Sequence, residues 1–180
     1  KKDNGSDFPD WKIMKLNEFS TSFNGITGKS ADDFGEGKKY IQYTQIFKNS
    51  KIDISDCGLV NISEDEKQNE VKKGDIFFTI SSETANEVGF SSVILDEVTD
   101  VYLNSFCFGM RLKSHREVSP SFVRYVFRDY RFRKAIFPLA QGVTRFNISK
   151  TQMMKLDVQI PSILEQNKIS KILGAIDEKL

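Results

Sequence analysis

The sequence is poor in the residues on which most enzyme chemistry is built. Its 180 residues include one histidine and two cysteines. His115 sits in a basic turn with Lys113 and Arg116, without a nearby cysteine or paired carboxylates, so it cannot complete a metal set. There is no H-E-x-x-H, H-x-E, G-x-S-x-G or P-loop pattern, and no Asn/Asp-Pro-Pro-Tyr/Phe tetrad of the adenine methyltransferases. Asp33-Phe-Gly-Glu-Gly37 lacks the G-x-G-x-x-G spacing and has no strand before it, so it is not a nucleotide turn. The acids at Asp53 and Asp56, or at Glu64, Asp65 and Glu66, lie in polar runs of the kind that are usually solvated. No catalytic residue, metal site or cofactor is expected. Cys57 and Cys107 have neither metal spacing nor a disulfide framework, and two buried free thiols in a reducing cytoplasm are expected. No apolar run approaches the roughly 20 residues of a membrane span, so no membrane partner is expected. No signal peptide precedes the domain, and a start at Lys1 without methionine leaves upstream processing open.

Excess charge is lacking too: 26 basic against 25 acidic residues leave a net +1. Its distribution is uneven. Arg111, Lys113, Arg116, Arg124, Arg128, Arg131, Arg133 and Lys134 crowd one stretch, against Glu117 and Asp129, while residues 53–100 are acidic. Either one basic face for nucleic acid or an ordinary solvated helix face would give this pattern.

What is abundant is phenylalanine, 15 residues, in a chain long enough for one domain with a substantial core. Residues 1–7 have nothing to bury. Trp11, Ile13, Leu16 and Phe19 alternate as the first packing residues. Ser20 to Lys39, with Gly25, Gly28, Gly35 and Gly37, reads as a long loop or set of turns. Tyr40–Phe47 reads as a strand, as do Ile76–Ile80 and Val101–Leu112; Val88–Leu95 adds another apolar segment. The period then changes: Ser119-Pro120 starts a helix with apolar Phe122, Val123, Val126, Phe127 and Tyr130, which must stop before Pro138. The expected fold is α+β. A curved, mostly antiparallel sheet or partial barrel carries a packed helix at about 119–136 and a C-terminal helix at about 162–180 leading into a helical spacer.

The C-terminal stretch is the most specific. Leu156–Ile160 is a short strand ended by Pro161. Ser162 and Glu165 have capping-box spacing for the helix that follows. Ile169, Ile172, Leu173, Ile176 and Leu180 form its apolar stripe, with Lys168, Lys171, Asp177 and Lys179 opposite. The segments Gln141-Gly-Val-Thr-Arg-Phe-Asn-Ile148, Leu156-Asp-Val-Gln-Ile-Pro-Ser-Ile-Leu-Glu-Gln166 and Lys168-Ile-Ser-Lys-Ile-Leu-Gly-Ala-Ile-Asp-Glu-Lys179 resemble the specificity subunit of type I restriction–modification systems. Phe8-Pro-Asp-Trp-Lys12 and Lys73-Gly-Asp-Ile-Phe-Phe-Thr79 extend the likeness over nearly the whole chain.

The resemblance implies a target-recognition domain at 1–161 and the start of a conserved spacer or dimerisation helix at 162–180. It implies a non-catalytic partner of double-stranded DNA that reads half of a bipartite target. Methyltransferase subunits and a restriction/translocase subunit would supply the chemistry, and a second half-subunit or a second copy would supply the other half-site. Glu165, Gln166, Ile169, Ile172, Leu173, Ile176 and Leu180 fall on the partner helix. The polar loops hold groups suited to base edges and phosphates: Lys29, Ser30, Lys38, Tyr43, Gln45, Ser81, Ser82, Glu83, Thr84, Asn86, Asn104, Ser105, Gln141, Thr144, Arg145 and Asn147. Gly142 would let the backbone approach DNA while Arg145 reaches a base or phosphate. The alternative is an assembly module whose terminal helix is its whole function.

Overall fold

The structure, a computed structural model, describes residue 5 and residues 10–179. Strand β1 (Lys12–Lys15) runs into a helical turn, α1 (Leu16–Phe19), and strand β2 (Ser20–Asn24). After a loop come β3 (Phe34–Ile41), α2 (Tyr43–Lys48) and β4 (Gly58–Val60). Strands β5 (Ile76–Thr79), β6 (Ser81–Ser82), β7 (Ser91–Val93), β8 (Val101–Leu103) and β9 (Cys107–Leu112) follow. Helices α3 (Pro120–Val126) and α4 (Tyr130–Ile136) precede β10 (Phe146–Asn147), α5 (Lys150–Met153), β11 (Asp157–Ile160) and α6 (Ile163–Asp177).

The fold is α+β and mostly antiparallel, as the sequence suggests, but the described strands fall into four sheets and close no barrel. The central sheet has the order β2-β9-β5-β7, all antiparallel. Strand β5 is its heart. Ile76, Phe77, Phe78 and Thr79 are all inaccessible to solvent, because both faces of the sheet are covered. Ile76 and Phe78 join Phe108, Phe122, Phe127 and Phe132 under α3 and α4. Phe77 points the other way into a cluster with Ile41, Ile46, Val101 and Leu103, beneath α2 and a second sheet of order β4-β3-β8. A strand buried on both sides reads as an unbroken apolar run, which is how Ile76–Ile80 was legible.

A buried ion pair fixes the entry to β5. Asp75, almost fully buried, accepts from Arg111 Nε at 2.8 Å and Nη2 at 2.6 Å, and from the Lys72 N–H at 2.8 Å. The Lys73-Gly-Asp segment is thus a structural latch. Gly74 adopts a positive φ there, and a Cβ on it would collide with the His115 ring.

Several local expectations need correction. Ser20–Lys39 is not one loop: its ends form β2 and β3, and only residues 25–33 lie between these strands. Tyr40–Phe47 is not one strand. The chain leaves β3 at Ile41 and turns into α2, burying Gln45 and Ile46 on one helical face. Val101–Leu112 is split by a turn at 104–106 into β8 and β9, which belong to different sheets. The helix expected over 119–136 is two helices meeting at Phe127–Asp129, where Asp129 caps α4 by accepting from the Arg131 N–H. Tyr130, placed in its apolar stripe, is 75% exposed. Ile13 is 67% exposed, because β1 pairs only with β11. Cys107 is a buried free thiol pushed upward in pKa by that burial, whereas Cys57 is only half-buried.

Helix α6 carries the largest surprise. Its one fully buried side chain is polar: Gln166. Its Nε2 donates to the carbonyls of Glu117 and Pro161, both at 2.8 Å, and its Oε1 accepts from the Ser119 N–H at 2.8 Å. This one amide joins the starts of α3 and α6. Ile169 and Leu173 continue the inward seam, and Asp177 closes it by accepting from Arg124 Nη2 and the Tyr125 hydroxyl. Asp177 is therefore tied to the domain, although its carboxylate stays partly in solvent. Ile172 and Ile176 sit at the seam's edge, 56% and 50% exposed. Ser162 caps the helix as expected, but the Glu165 carboxylate accepts from Trp11 Nε1 instead of closing a capping box. Phe8 and Leu180 lie outside the described residues.

Replacing Gln166 by leucine keeps the volume and strands one N–H and two carbonyls. Urea unfolding is expected to report a loss of about 3 kcal/mol, whereas Ile172→Ala, half-exposed, is expected to cost less than about 1 kcal/mol.

Candidate functional site

The polar loops of the chain meet at one end of the central sheet, because backbone pairing ties them together. Just past β5, β6 pairs with β10, placing Ser82 opposite Phe146 and Ser81 opposite Asn147. Gln141 and Asn147 exchange two backbone hydrogen bonds, at 2.9 and 2.8 Å, which closes residues 141–147 into a tight loop. Gly142 makes that closure possible. It has a positive φ, and a Cβ on it would lie 2.0 Å from the Arg145 carbonyl oxygen. A close approach within its own loop is thus enough to require glycine at 142. Arg145 projects from the far side, exposed; among the described residues its guanidinium has no hydrogen-bond or ion-pair partner.

Helix α2 closes the other side. The Tyr43 hydroxyl donates to the Ser81 carbonyl at 2.6 Å, and burial pushes its pKa upward. Tyr43 stacks on Phe47, which meets Phe90 edge-on. The result is a cleft of about 400 Å³ lined by Tyr43, Phe47, Ser81, Ser82, Glu83, Glu87, Phe106 and Arg145. Five residues expected in the site thus come together: Tyr43, Ser81, Ser82, Glu83 and Arg145. Ser81, however, is only 8% exposed, and Ser82 donates to Glu87 at 3.2 Å. Thr84, Gln141, Thr144 and Asn147 are exposed around the rim.

A second cleft, about 730 Å³, adjoins the first across Phe106. It takes in the loop from Asn24 to Ala31, with Lys29 and Ser30, and also Asn104, Ser105 and Lys150. Its cations are not free donors. The Lys29 ammonium is buried against Glu66, which it holds at a pKa of about 2 together with the Ser63 N–H. Ser30 gives its hydroxyl to Asp33 at 3.0 Å. Lys38 is paired with Asp100 at 2.6 Å, but both are well exposed. Such surface pairs are worth little and exchange readily. Asn104 spends its Oδ1 on the Phe106 N–H, and Gln45 spends its side chain on the Asp53 N–H and the Asp56 carbonyl.

The basic stretch forms no basic face. Arg111 binds Asp75 and the Glu70 carbonyl, and Lys113 the carbonyls of Asn17 and Glu18. Arg124 binds Ser50 and Asp177. Arg128 threads under α2 and donates to the carbonyls of Ile46, Phe47 and Asn49 at that helix's end, and to Ser91. Arg133 donates to the Asn86 carbonyl and lies 4.2 Å from the Phe90 ring centroid. Burial lowers both guanidinium pKa values, that of Arg133 to about 10, still well above neutral pH. Of the eight cations in this stretch only Arg116, Arg131 and Lys134 lack such partners among the described residues. Arg111 and Arg124 are held by carboxylates, whereas Arg128 is held by the carbonyl end of α2, the negative pole of that helix, which attracts cations.

The sequence reading missed Phe106, Phe47 and Glu87. The Asn104-Ser105 pair inside an apolar run was the available signal for a turn there, and a turn exposes Phe106. Among the described residues no cluster of histidine, cysteine and carboxylates could hold a metal, and no helix is long and apolar enough to cross a membrane.

The model of the type I restriction modification DNA specificity domain matches residues 9–180. A protein of Methanocaldococcus jannaschii, named as the specificity subunit of the type I restriction enzyme MjaX, is 28% identical over 177 residues. That match covers 93% of this chain and 40% of the relative. Among solved structures, the S subunit of a type I restriction–modification system from M. genitalium superposes with a TM-score of 0.64 at 16% identity, over 99% of this chain and 41% of that one. The HsdS subunit from Thermoanaerobacter tengcongensis gives 0.62 at 14% identity, over 98% and 40%. These structural likenesses bear on the fold. The chain spans about two-fifths of the length of each.

The structural and the available arginines should separate by experiment. Arg128→Met is expected to lower unfolding free energy by about 2–3 kcal/mol, because several carbonyls, most of them part-buried, lose a charged donor. Arg145→Ala is expected to leave it within about 0.5 kcal/mol. Chemical denaturation of the two variants measures both.

Proposed function

This chain belongs to the family of type I restriction modification DNA specificity domains, and from that membership we propose that it reads one half of a bipartite target in double-stranded DNA. The observation that carries the reading is the convergence of three separate polar segments, 81–87, 104–106 and 141–147, around an arginine without a partner among the described residues. In this role Arg145 makes the base or phosphate contact, Glu83 supplies an acceptor beside it, and Thr84, Gln141, Thr144 and Asn147 frame the contact. Lys38 reaches a phosphate by exchanging it for the exposed Asp100 carboxylate. Lys29, Ser30 and Asn104 shape the second cleft rather than touching DNA themselves.

The proposed role is recognition without catalysis, in the cytoplasm where the DNA is. The chemistry comes from methyltransferase subunits and a restriction/translocase subunit, and the other half-site from a second half-subunit or a second copy. The boundary falls at 161/162 by role, residues 1–161 reading DNA and α6 carrying the assembly contacts. By packing it is not a break, since Gln166 and Ile169 hold the first turns of α6 to the domain. The surface proposed for partners is therefore narrower than the sequence stripe: Leu164, Ile172 and Ile176, the exposed apolar residues of the helix.

Selection of bound duplexes from a random pool, with and without the methyltransferase subunit, tests the reading; no enriched sequence in either arm would sink it. On an enriched duplex, Arg145→Ala is expected to cost about 1–3 kcal/mol or to relax preference at one position. Lys38→Ala is expected to weaken all duplexes alike and to reduce the dependence of log affinity on log salt by about one.

A further inference from the structure

The turn between β8 and β9 holds an aromatic ring where a turn ordinarily carries a small or polar residue. The Cys107 N–H donates to the Asn104 carbonyl at 3.1 Å, closing the turn. The Phe106 N–H donates to Asn104 Oδ1 at 2.8 Å, and its carbonyl accepts from the Ile80 N–H at 3.1 Å. Both backbone groups of Phe106 are therefore fixed. The turn is braced from behind by Gly25, whose missing side chain would otherwise lie 2.1 Å from the Asn104 carbonyl oxygen. Leu103 and Cys107, on either side, are buried in the core. Phe106 turns outward beside Ser105, 55% exposed, and its ring contributes to the walls of both clefts. It is a rigid apolar ridge with Arg145 and Glu83 on one side and the Asn24–Ala31 loop on the other.

A groove of duplex DNA offers such a ring few apolar partners. In the major groove the exposed one is the C5 methyl of thymine. The neighbouring carboxylate selects that groove. At A·T pairs the minor groove displays only acceptors, which Glu83 would repel, whereas the major groove displays the amino groups of cytosine and adenine. The major groove, about 12 Å wide, also admits a broad ridge where the minor groove, about 6 Å wide, does not. We propose that Phe106 is a specificity-determining residue that reads the C5 methyl group of one thymine in the major groove, next to the base pair facing Arg145 and Glu83. This rests on the DNA-reading function proposed above.

The test uses the duplex enriched in the selection, resynthesised with each thymine in turn replaced by deoxyuridine. That change removes one methyl group and leaves pairing intact. One replacement is expected to weaken binding by the wild-type protein about fourfold, the value of one buried methyl. Phe106→Ala, with an unchanged melting curve, is expected to bind the parent duplex about that much more weakly and to be indifferent to the same replacement. Arg145→Ala still responds to it, and Phe106→Leu keeps part of the response. If Phe106→Ala responds to every replacement as the wild type does, or if no replacement matters, the assignment is overturned while DNA reading stands. If 2-aminopurine beside that thymine brightens with the wild type and not with Phe106→Ala, the ring is a wedge between bases, and the methyl contact is again overturned. If no duplex is enriched at all, the DNA-reading proposal falls and takes this one with it.

Discussion

Strand β5 is sealed on both faces, and the rest of the molecule is arranged around that constraint. Ile76 and Phe78 press into the helical layer, and Phe77 into the layer of α2 and the β3 sheet. A strand with no wet face can expose nothing polar along its length. Apart from the Thr79 hydroxyl, which accepts from the Phe90 N–H inside the core, polar groups appear where the chain leaves it: at Asp75 before the strand, bound to Arg111, and at Ser81 and Ser82 after it. The second exit is where β6 captures β10, and with it the loop that bears Arg145. The candidate site is therefore a consequence of burial: the polar loops gather at the end of the sheet because the body of the sheet has no room for them.

Two polar connections hold the layers in register. Arg128 reaches from the α3–α4 junction to the carbonyl end of α2, which sets the tilt of the helix bearing Tyr43 and Phe47. Gln166 does the same between α3 and α6. Apolar packing alone tolerates sliding, whereas a buried donor set with a fixed acceptor set permits one arrangement and penalises others. Both connections are made by residues whose sequence context pointed elsewhere, Arg128 toward a nucleic-acid face and Gln166 toward a partner protein.

That contrast marks what the sequence could and could not disclose. The apolar run at Ile76–Ile80, the Ser119-Pro120 start and the Ser162 cap were legible because each depends on near neighbours in the chain. The Asp75–Arg111 pair and the five carbonyls bound by Arg128 were not, since their partners lie 36 to 82 positions away. Tyr43 was placed in the site although its segment was read as a strand and is a helix. Its tyrosine chemistry was readable while its backbone depended on tertiary context. Phe106 escaped notice because an aromatic residue between Ser105 and Cys107 looks like core until the turn at Asn104 is known.

The pairing of so many cations also explains how a near-neutral chain can serve the proposed role. Lys29, Arg111, Arg124, Arg128 and Arg133 hold the fold, which withdraws five of the 26 basic residues from the displacement of counterions on a phosphate backbone. Since sequence-independent DNA affinity scales with the number of phosphates neutralised, the proposed role gives a single module a weaker grip than its count of cations suggests. Weak grip per half suits a bipartite reader, because two halves joined through their helices gain affinity from effective concentration only when both half-sites are present. On the proposed reading, specificity then resides in the spacing as much as in the loops. The inward seam of α6 is the mechanical link, since Gln166 and Asp177 fix the angle at which the helix leaves the domain.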